Sequence, residues 1–255
     1  MPNPFFRFKQ FAVRHDRCAM KVGTDGVLLG AWASPVCGDG FSATFDEALK
    51  ILDVGTGSGL IALMLAQRFP HSCIEGIDID EASVLQATEN VKESIFRERI
   101  AISKRDYGEI DCFCNKYDLI VSNPPFYKED TLSGDVARDT ARHTSFLSFE
   151  TLISNSAKLL LPSGVFCVII PYQSASDFIS ICVQEKLYLT RRMDIKPTTQ
   201  KPPNRTLLAF SPATGKVDNF ATNIMRNVEP QLLTLYDAAN NRTSEYSAMT
   251  KDFYL

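Results

Sequence analysis

Apolar residues along this chain come in two rhythms that take turns. Short runs such as Ile51-Leu52 with Val54, Leu119-Ile120-Val121 and Val165 to Ile170 are too brief and too continuous for helices. They read as strands buried on both faces of a parallel sheet. Between them lie longer stretches with apolar positions three and four apart, the spacing of one helix face. The pattern predicts strands over 51–54, 73–79, 100–103, 119–122, 165–170, 187–194 and 206–210. It predicts helices over 60–69, closed before Pro70, over 81–93, over 149–161, ended by Pro162-Ser163-Gly164, and over 175–185. Strand and helix in alternation argue an α/β chain with one doubly wound, mostly parallel sheet of seven strands.

Both ends of the chain depart from that rhythm. Phe6, Phe8, Phe11 and Val13 alternate with Arg7, Lys9 and Arg14, as a small β-hairpin or flap would. A short helix follows over 27–32, with Thr24 or Asp25 as its expected cap. Residues 1–48 are read as a flap and helix belonging to the same domain as residues 49–255. The polar stretch 128–143 lacks apolar periodicity and is expected to be a mobile loop. The tail from residue 219 closes with Tyr246, Met249, Phe253, Tyr254 and Leu255, residues suited to docking on the body of the protein.

Composition narrows the class. The chain has 255 residues, 45% hydrophobic and 22% charged, enough for one substantial core. No run of about 18 apolar residues is present to span a bilayer, and the first residues lack the apolar centre of a secretory signal. A cytoplasmic location is expected. Seven scattered cysteines without a Cys-x-x-Cys spacing read as reduced thiols, and no metal site is expected. Net charge is −3, so any affinity for nucleic acid must come from local patches. Two are candidates: Arg7, Lys9, Arg14, Arg17 and Lys21 in the flap, and Lys196, Lys201 and Arg205 among prolines 197, 202 and 203. A merely solvated charged face is the competing reading for the flap.

Two stretches carry chemistry. Asp53-Val54-Gly55-Thr56-Gly57-Ser58-Gly59 puts glycines between a strand and a helix, where backbone can approach a ligand and the helix presents unpaired N–H groups. Leu60 stands where a dinucleotide fingerprint would have its third glycine. The next strand ends at Asp78, an acid placed to accept both hydroxyls of a ribose. Asp80 reads as surface or as the cap of the following helix. Asp106 follows the third strand, where it could meet an adenine amino group or simply face solvent.

The other stretch is Asn123-Pro124-Pro125-Phe126, at the end of strand 119–122. Two prolines stop the strand and hold Asn123 at the sheet's ligand-binding edge. A rigid turn is one reading. The other is a site for a planar amine: the Asn123 oxygen and the Pro124 carbonyl accept its hydrogens while the Phe126 ring stacks on its plane.

Together these residues resemble the class I AdoMet-dependent methyltransferases, with a Rossmann-like sheet. The resemblance implies that Asp53, Gly55, Gly57, Gly59, Asp78, Asp106 and Asn123 bind S-adenosylmethionine. It implies that Asn123, Pro124 and Phe126 carry catalysis on a planar nitrogen. The run from His15 to Trp32, with Met20-Lys21-Val22-Gly23-Thr24-Asp25-Gly26, is similar to the bacterial valine-tRNA adenine-N6 methyltransferases, as are Leu207 to Pro212 and the closing Phe253-Tyr254-Leu255. The activity so implied is methylation of adenine 37 of a valine tRNA, with tRNA as partner, no metal and no obligate protein partner. Arg14, Arg17, Lys21, Lys201 and Arg205 are the expected RNA contacts. Ribosomal RNA guanine-N2 methylation and protein glutamine N5-methylation are the alternatives; Phe126 is common in the guanine enzymes, where the N6-adenine family usually has Tyr.

Overall fold

In the computed structural model, residues 4–18, 20–36, 48–110, 117–125, 147–213 and 228–255 are described. Phe126 and the stretch 128–143 lie outside them. Strands β1 (Phe5–Arg7) and β2 (Ala12–Arg14) pair antiparallel as a hairpin, and helix α1 (Thr24–Trp32) follows. The body then alternates: β3 (Lys50–Val54), α2 (Leu60–Arg68), β4 (Cys73–Asp78), α3 (Glu81–Glu93), β5 (Ile100–Lys104) and β6 (Tyr117–Ser122). It continues with α4 (Phe149–Leu159), β7 (Leu160–Pro171), α5 (Ala175–Gln184), β8 (Leu187–Thr198), β9 (Arg205–Pro212), β10 (Gln231–Tyr236) and α6 (Ser244–Thr250).

Among the described residues the sheet has eight strands, one more than the pattern predicts, in the order β10-β8-β9-β7-β6-β3-β4-β5. Of these, β9 alone runs against its neighbours. The extra strand is β10, an edge strand parallel to β8. Its alternation is imperfect: Leu233 and Leu235 are buried while Leu232 is exposed. An edge strand can leave one face in solvent, so it does not demand a full apolar pattern.

Side chains of β6 and β7 alternate between two cores, as the pleat requires. Leu119, Val121, Val165, Cys167 and Ile169 join a cluster with α1, α2 and the hairpin; Ile120, Phe166, Val168 and Ile170 join one with α4 and α5. Helix α1 is buried from Gly26 to Trp32, so it has no amphipathic face to read. It lies along α2 at close range because glycines make room: a Cβ on Gly30 would stand 2.6 Å from Met64 Sδ, and one on Gly26 would stand 3.0 Å from Leu60 Cδ2.

The expected cap of α1 is not what forms. Gly23 is the N-cap residue and no described side chain caps the helix; Asp25 instead accepts from Arg205 Nε at 2.7 Å. Helix α4 stops at Leu159, two residues early, because Leu160 already pairs with Tyr117 as the start of β7. The tail does dock. Tyr246 and Phe253 are fully buried, and the Phe253 carbonyl accepts from Lys9 N of the hairpin at 2.8 Å.

Candidate active site

The sheet's strand order reverses around β3, and ligands of open α/β sheets bind where it does so. Val54 of β3 pairs with Ser122 of β6, and Ser122 Oγ donates to the Val54 carbonyl at 2.9 Å. Gly55 and Asn123 therefore leave the sheet side by side. Between them and the end of β4 lies a pocket of about 390 Å3, within the range of small-molecule sites.

Gly55, Gly57 and Gly59 all adopt positive φ, at 69°, 54° and 79°. A side chain there would be strained, since L-residues rarely adopt this conformation. A Cβ on Gly55 would meet nothing within 4 Å, and on Gly57 only the Gly55 carbonyl at 4.0 Å. The turn is thus bare backbone around an open cradle that side chains would fill. Gly59 does not reach the pocket. Its lack of a side chain lets the turn approach α3, where a Cβ would stand 3.3 Å from Ala87 Cβ.

Asp53 also departs from its expected role as a cofactor ligand. It is wholly buried behind the turn, where Oδ2 accepts from Thr56 Oγ1 at 2.7 Å and from Ala62 N at 3.2 Å. Ala62 lies in the first turn of α2, whose N-cap, Gly59, has no side chain; Asp53 supplies the missing acceptor. Its other oxygen, Oδ1, has no hydrogen-bond partner among the described residues. Burial pushes its carboxyl up to about 7, against the hydrogen bonds from Thr56 and Ala62.

Asp78, at the end of β4, lines the pocket. Oδ2 accepts from Gly57 N at 2.9 Å and Oδ1 from Asp80 N at 3.0 Å, so the carboxylate is fixed with lone pairs to spare. Burial raises its pKa, while the backbone donors oppose the shift. Asp80 is the cap of α3, accepting from Ser83 N and Oγ, each at 2.8 Å. Asp106 lines the far side and accepts from Gly108 N at 2.7 Å. Asn123 and Pro124 close the pocket at the β6 end.

Of the lining residues that escape a motif reading, three bear most on the chemistry. Ile79 is 47% exposed immediately after Asp78, an apolar face where a strand turns into solvent; an apolar residue beside the strand-end acid is the signal that could have found it. Arg105 is a cation at this acidic mouth, paired with Glu75 at 3.1 Å, and Glu75 also accepts from Tyr117 OH at 2.7 Å. Met20 reaches the pocket from the N-terminal segment. No local pattern announces Arg105 or Met20.

The pocket fits S-adenosylmethionine. The bare glycine turn admits close contact, Asp78 offers a fixed carboxylate for a ribose, Ile79 an apolar wall, and Asp78, Asp80 and Asp106 a negative field for a sulfonium and an amino group. Among the described residues no group of three His, Cys, Asp or Glu is placed to hold a metal.

The basic residues are largely committed elsewhere. Arg14 pairs with Glu93 at 3.3 Å and Arg17 with Glu89 at 2.8 Å, both on α3, while Arg205 is bound to Asp25. Lys21 and Lys201 are exposed and form no ion pair among the described residues. Lys201 lies between β8 and β9, at the same sheet edge as the pocket, since Arg205 pairs with Pro171 at the end of β7. Of the expected RNA contacts, Lys21 and Lys201 are thus the exposed cations outside ion pairs, while Arg14 and Arg17 stay about half exposed within theirs.

Comparison with known proteins agrees with this geometry. The family model described as methyltransferase small domain matches residues 41–177. Proteins named tRNA1(Val) (adenine(37)-N6)-methyltransferase are similar over the full length. That of Parabacteroides distasonis is 42% identical over 100% of this chain and 99% of its own, and that of Phocaeicola vulgatus is 42% identical over the same shares. The Pectobacterium carotovorum protein is 39% identical over 98% and 93%. A solved structure described as a predicted O-methyltransferase from Agrobacterium tumefaciens shares the fold, with a TM-score of 0.63 at 15% identity over 90% of this chain and 96% of that one.

Proposed function

The chain belongs to the methyltransferase small domain family and groups with the bacterial tRNA1(Val) adenine-37 N6-methyltransferases; from that premise we propose that it methylates the N6 amine of adenine 37 in a valine tRNA. The observation that carries this reading is the full-length similarity to enzymes so named, in a chain that sets Asn123 and Pro124 beside the glycine turn.

S-adenosylmethionine, when bound, supplies an activated methyl group on a positively charged sulfur. The residues then need to position and dehydrate, effects that lower the barrier by about 7–11 kcal/mol in well-oriented reactions. Asn123 Oδ1 and the Pro124 carbonyl accept the two amine hydrogens. That turns the nitrogen lone pair, otherwise delocalised into the ring, toward the methyl carbon. With the amine so held, nitrogen would gain the methyl carbon as the sulfonium leaves as the neutral thioether S-adenosylhomocysteine, and the extra proton would pass to water. Phe126 is proposed to stack on the base. A nucleotide beside the anticodon can be splayed from its loop at modest cost, which suits such a site.

The test is to incubate the purified protein and S-adenosylmethionine with unmodified tRNA and, separately, with ribosomal RNA, then identify the nucleoside. N6-methyladenosine in the valine tRNA is the expected product. N2-methylguanosine in ribosomal RNA, or no product in tRNA, overturns the reading.

A further inference from the structure

Residues Arg14 to Cys18 lie on α3 as a strap, and what fastens them is buried. Asn90, 1% exposed, accepts from Arg14 N at 2.9 Å through Oδ1 and donates through Nδ2 to the Arg14 carbonyl at 2.8 Å. The same Nδ2 donates to the Ser58 carbonyl at 2.8 Å, inside the glycine turn. One amide therefore staples the strap and the cofactor turn to each other. Gln86, fully buried one helical turn away, accepts from Arg17 N at 3.2 Å. Glu89 and Glu93 stand on the same face and take the side chains of Arg17 and Arg14. Met20 then enters the pocket while remaining 50% exposed.

A fully buried amide needs partners, but a helix facing solvent does not need a buried amide. Leu or Ala at position 90 would satisfy α3; only a segment that must be held in register with the turn requires three directed bonds. The strap also carries Met20, a flexible thioether able to follow an irregular ligand surface.

We propose that Asn90 is a positioning residue that couples the glycine turn to the N-terminal strap, and that Met20 at the strap's end is a cofactor-contacting wall of the pocket. Cofactor binding then orders the strap, because turn and strap share one side chain. Lys21 follows Met20 directly, so ordering the strap also fixes a cation at the pocket's mouth. The inference rests on the cofactor reading and not on the choice of RNA.

Hydrogen exchange with S-adenosylmethionine alone tests it. In the wild type, the cofactor should slow exchange in a peptide covering residues 12–24 as well as in one covering the glycine turn. Asn90→Ala should abolish the slowing in the strap while α3 stays protected, and should weaken binding by calorimetry. Met20→Ala, at a half-exposed position with little bearing on stability, should weaken binding about fivefold, and Met20→Leu should recover most of it. Should Asn90→Ala fail to fold, the wild-type exchange and the Met20 pair decide alone. A strap whose exchange ignores the cofactor, or a Met20→Ala protein with wild-type affinity, overturns the proposal. Failure to methylate tRNA would leave each of these readouts intact and would instead sink the substrate assignment.

Discussion

Replacing Asp78 separates two tasks that its carboxylate combines. It anchors the turn through Gly57 N at 2.9 Å and the β4–α3 junction through Asp80 N at 3.0 Å, and it faces the pocket where a ribose would sit. A hydrogen bond to a charged group contributes about 1.5–3 kcal/mol. Asp78→Ala removes the ribose acceptors and frees Gly57 to leave its positive-φ conformation. Losing even one such bond weakens affinity by about ten- to 150-fold, so at least a tenfold rise in Kd for S-adenosylmethionine is expected. Asp78→Asn keeps the shape, yet its amide oxygen can accept from Gly57 N or Asp80 N and not both, and its NH2 opposes the donor left over. It should fall between wild type and alanine. Because burial raises the Asp78 pKa, and the ligand's hydroxyls favour the ionised form, wild-type affinity should fall as pH drops through a value above the ordinary aspartate range. Calorimetry across pH measures all of this. Wild-type affinity in Asp78→Ala would refute the placement of the ribose.

Asp53 predicts a pH-dependent stability. Its folded pKa is raised to about 7, so the protonated form favours the native state, and that contribution is lost as pH rises from about 4 toward 7. Urea unfolding should show wild-type stability declining across this window relative to Asp53→Asn; parallel curves would deny the shift. Asn123→Ala should retain the fold and cofactor affinity while turnover nearly vanishes in a methyl-transfer assay, and full turnover would remove Asn123 from the chemistry. Gly30→Ala adds a Cβ 2.9 Å from Met64 Cβ and should cost about 1–3 kcal/mol by urea denaturation; unchanged stability would mean α1 and α2 separate freely. Neutralising Lys21 and Lys201 should reduce the salt slope of RNA binding by about 0.7–0.9 for each phosphate that then keeps its counterions. Arg14→Ala with Arg17→Ala should change that slope less, because those charges are already paired; the opposite ranking would place RNA on the strap.

Much of this protein is settled by short-range pattern. Continuous apolar runs fix buried parallel strands, and helix α3 keeps the expected bounds Glu81 to Glu93 with Asp80 as its cap, although it buries Ser83, Gln86, Ala87, Asn90 and Val91 while Leu85 is exposed. Positive φ at Gly55 and Gly57, and an acid at the end of the next strand, are local demands of a backbone that must touch a ligand. Each depends on neighbours a few residues away, so the sequence displays it.

Side-chain partners are another matter, because they are chosen by register and packing between distant segments. Arg205 reads as a free cation, but β9 brings it against Asp25, 180 residues earlier. Arg14 and Arg17 read as free cations, but the strap lies on the acidic face of α3, over 70 positions away, and pairs them there. Asp53 sits in a ligand motif, yet the pleat of β3 and the uncapped start of α2 turn it inward. Strand β10 at the sheet edge needs only half an apolar pattern, so its sequence hardly marks it. Asn90 is an ordinary helix residue by sequence. Only the tertiary structure, by closing hairpin, turn and helix around one amide, gives it three bonds and a task.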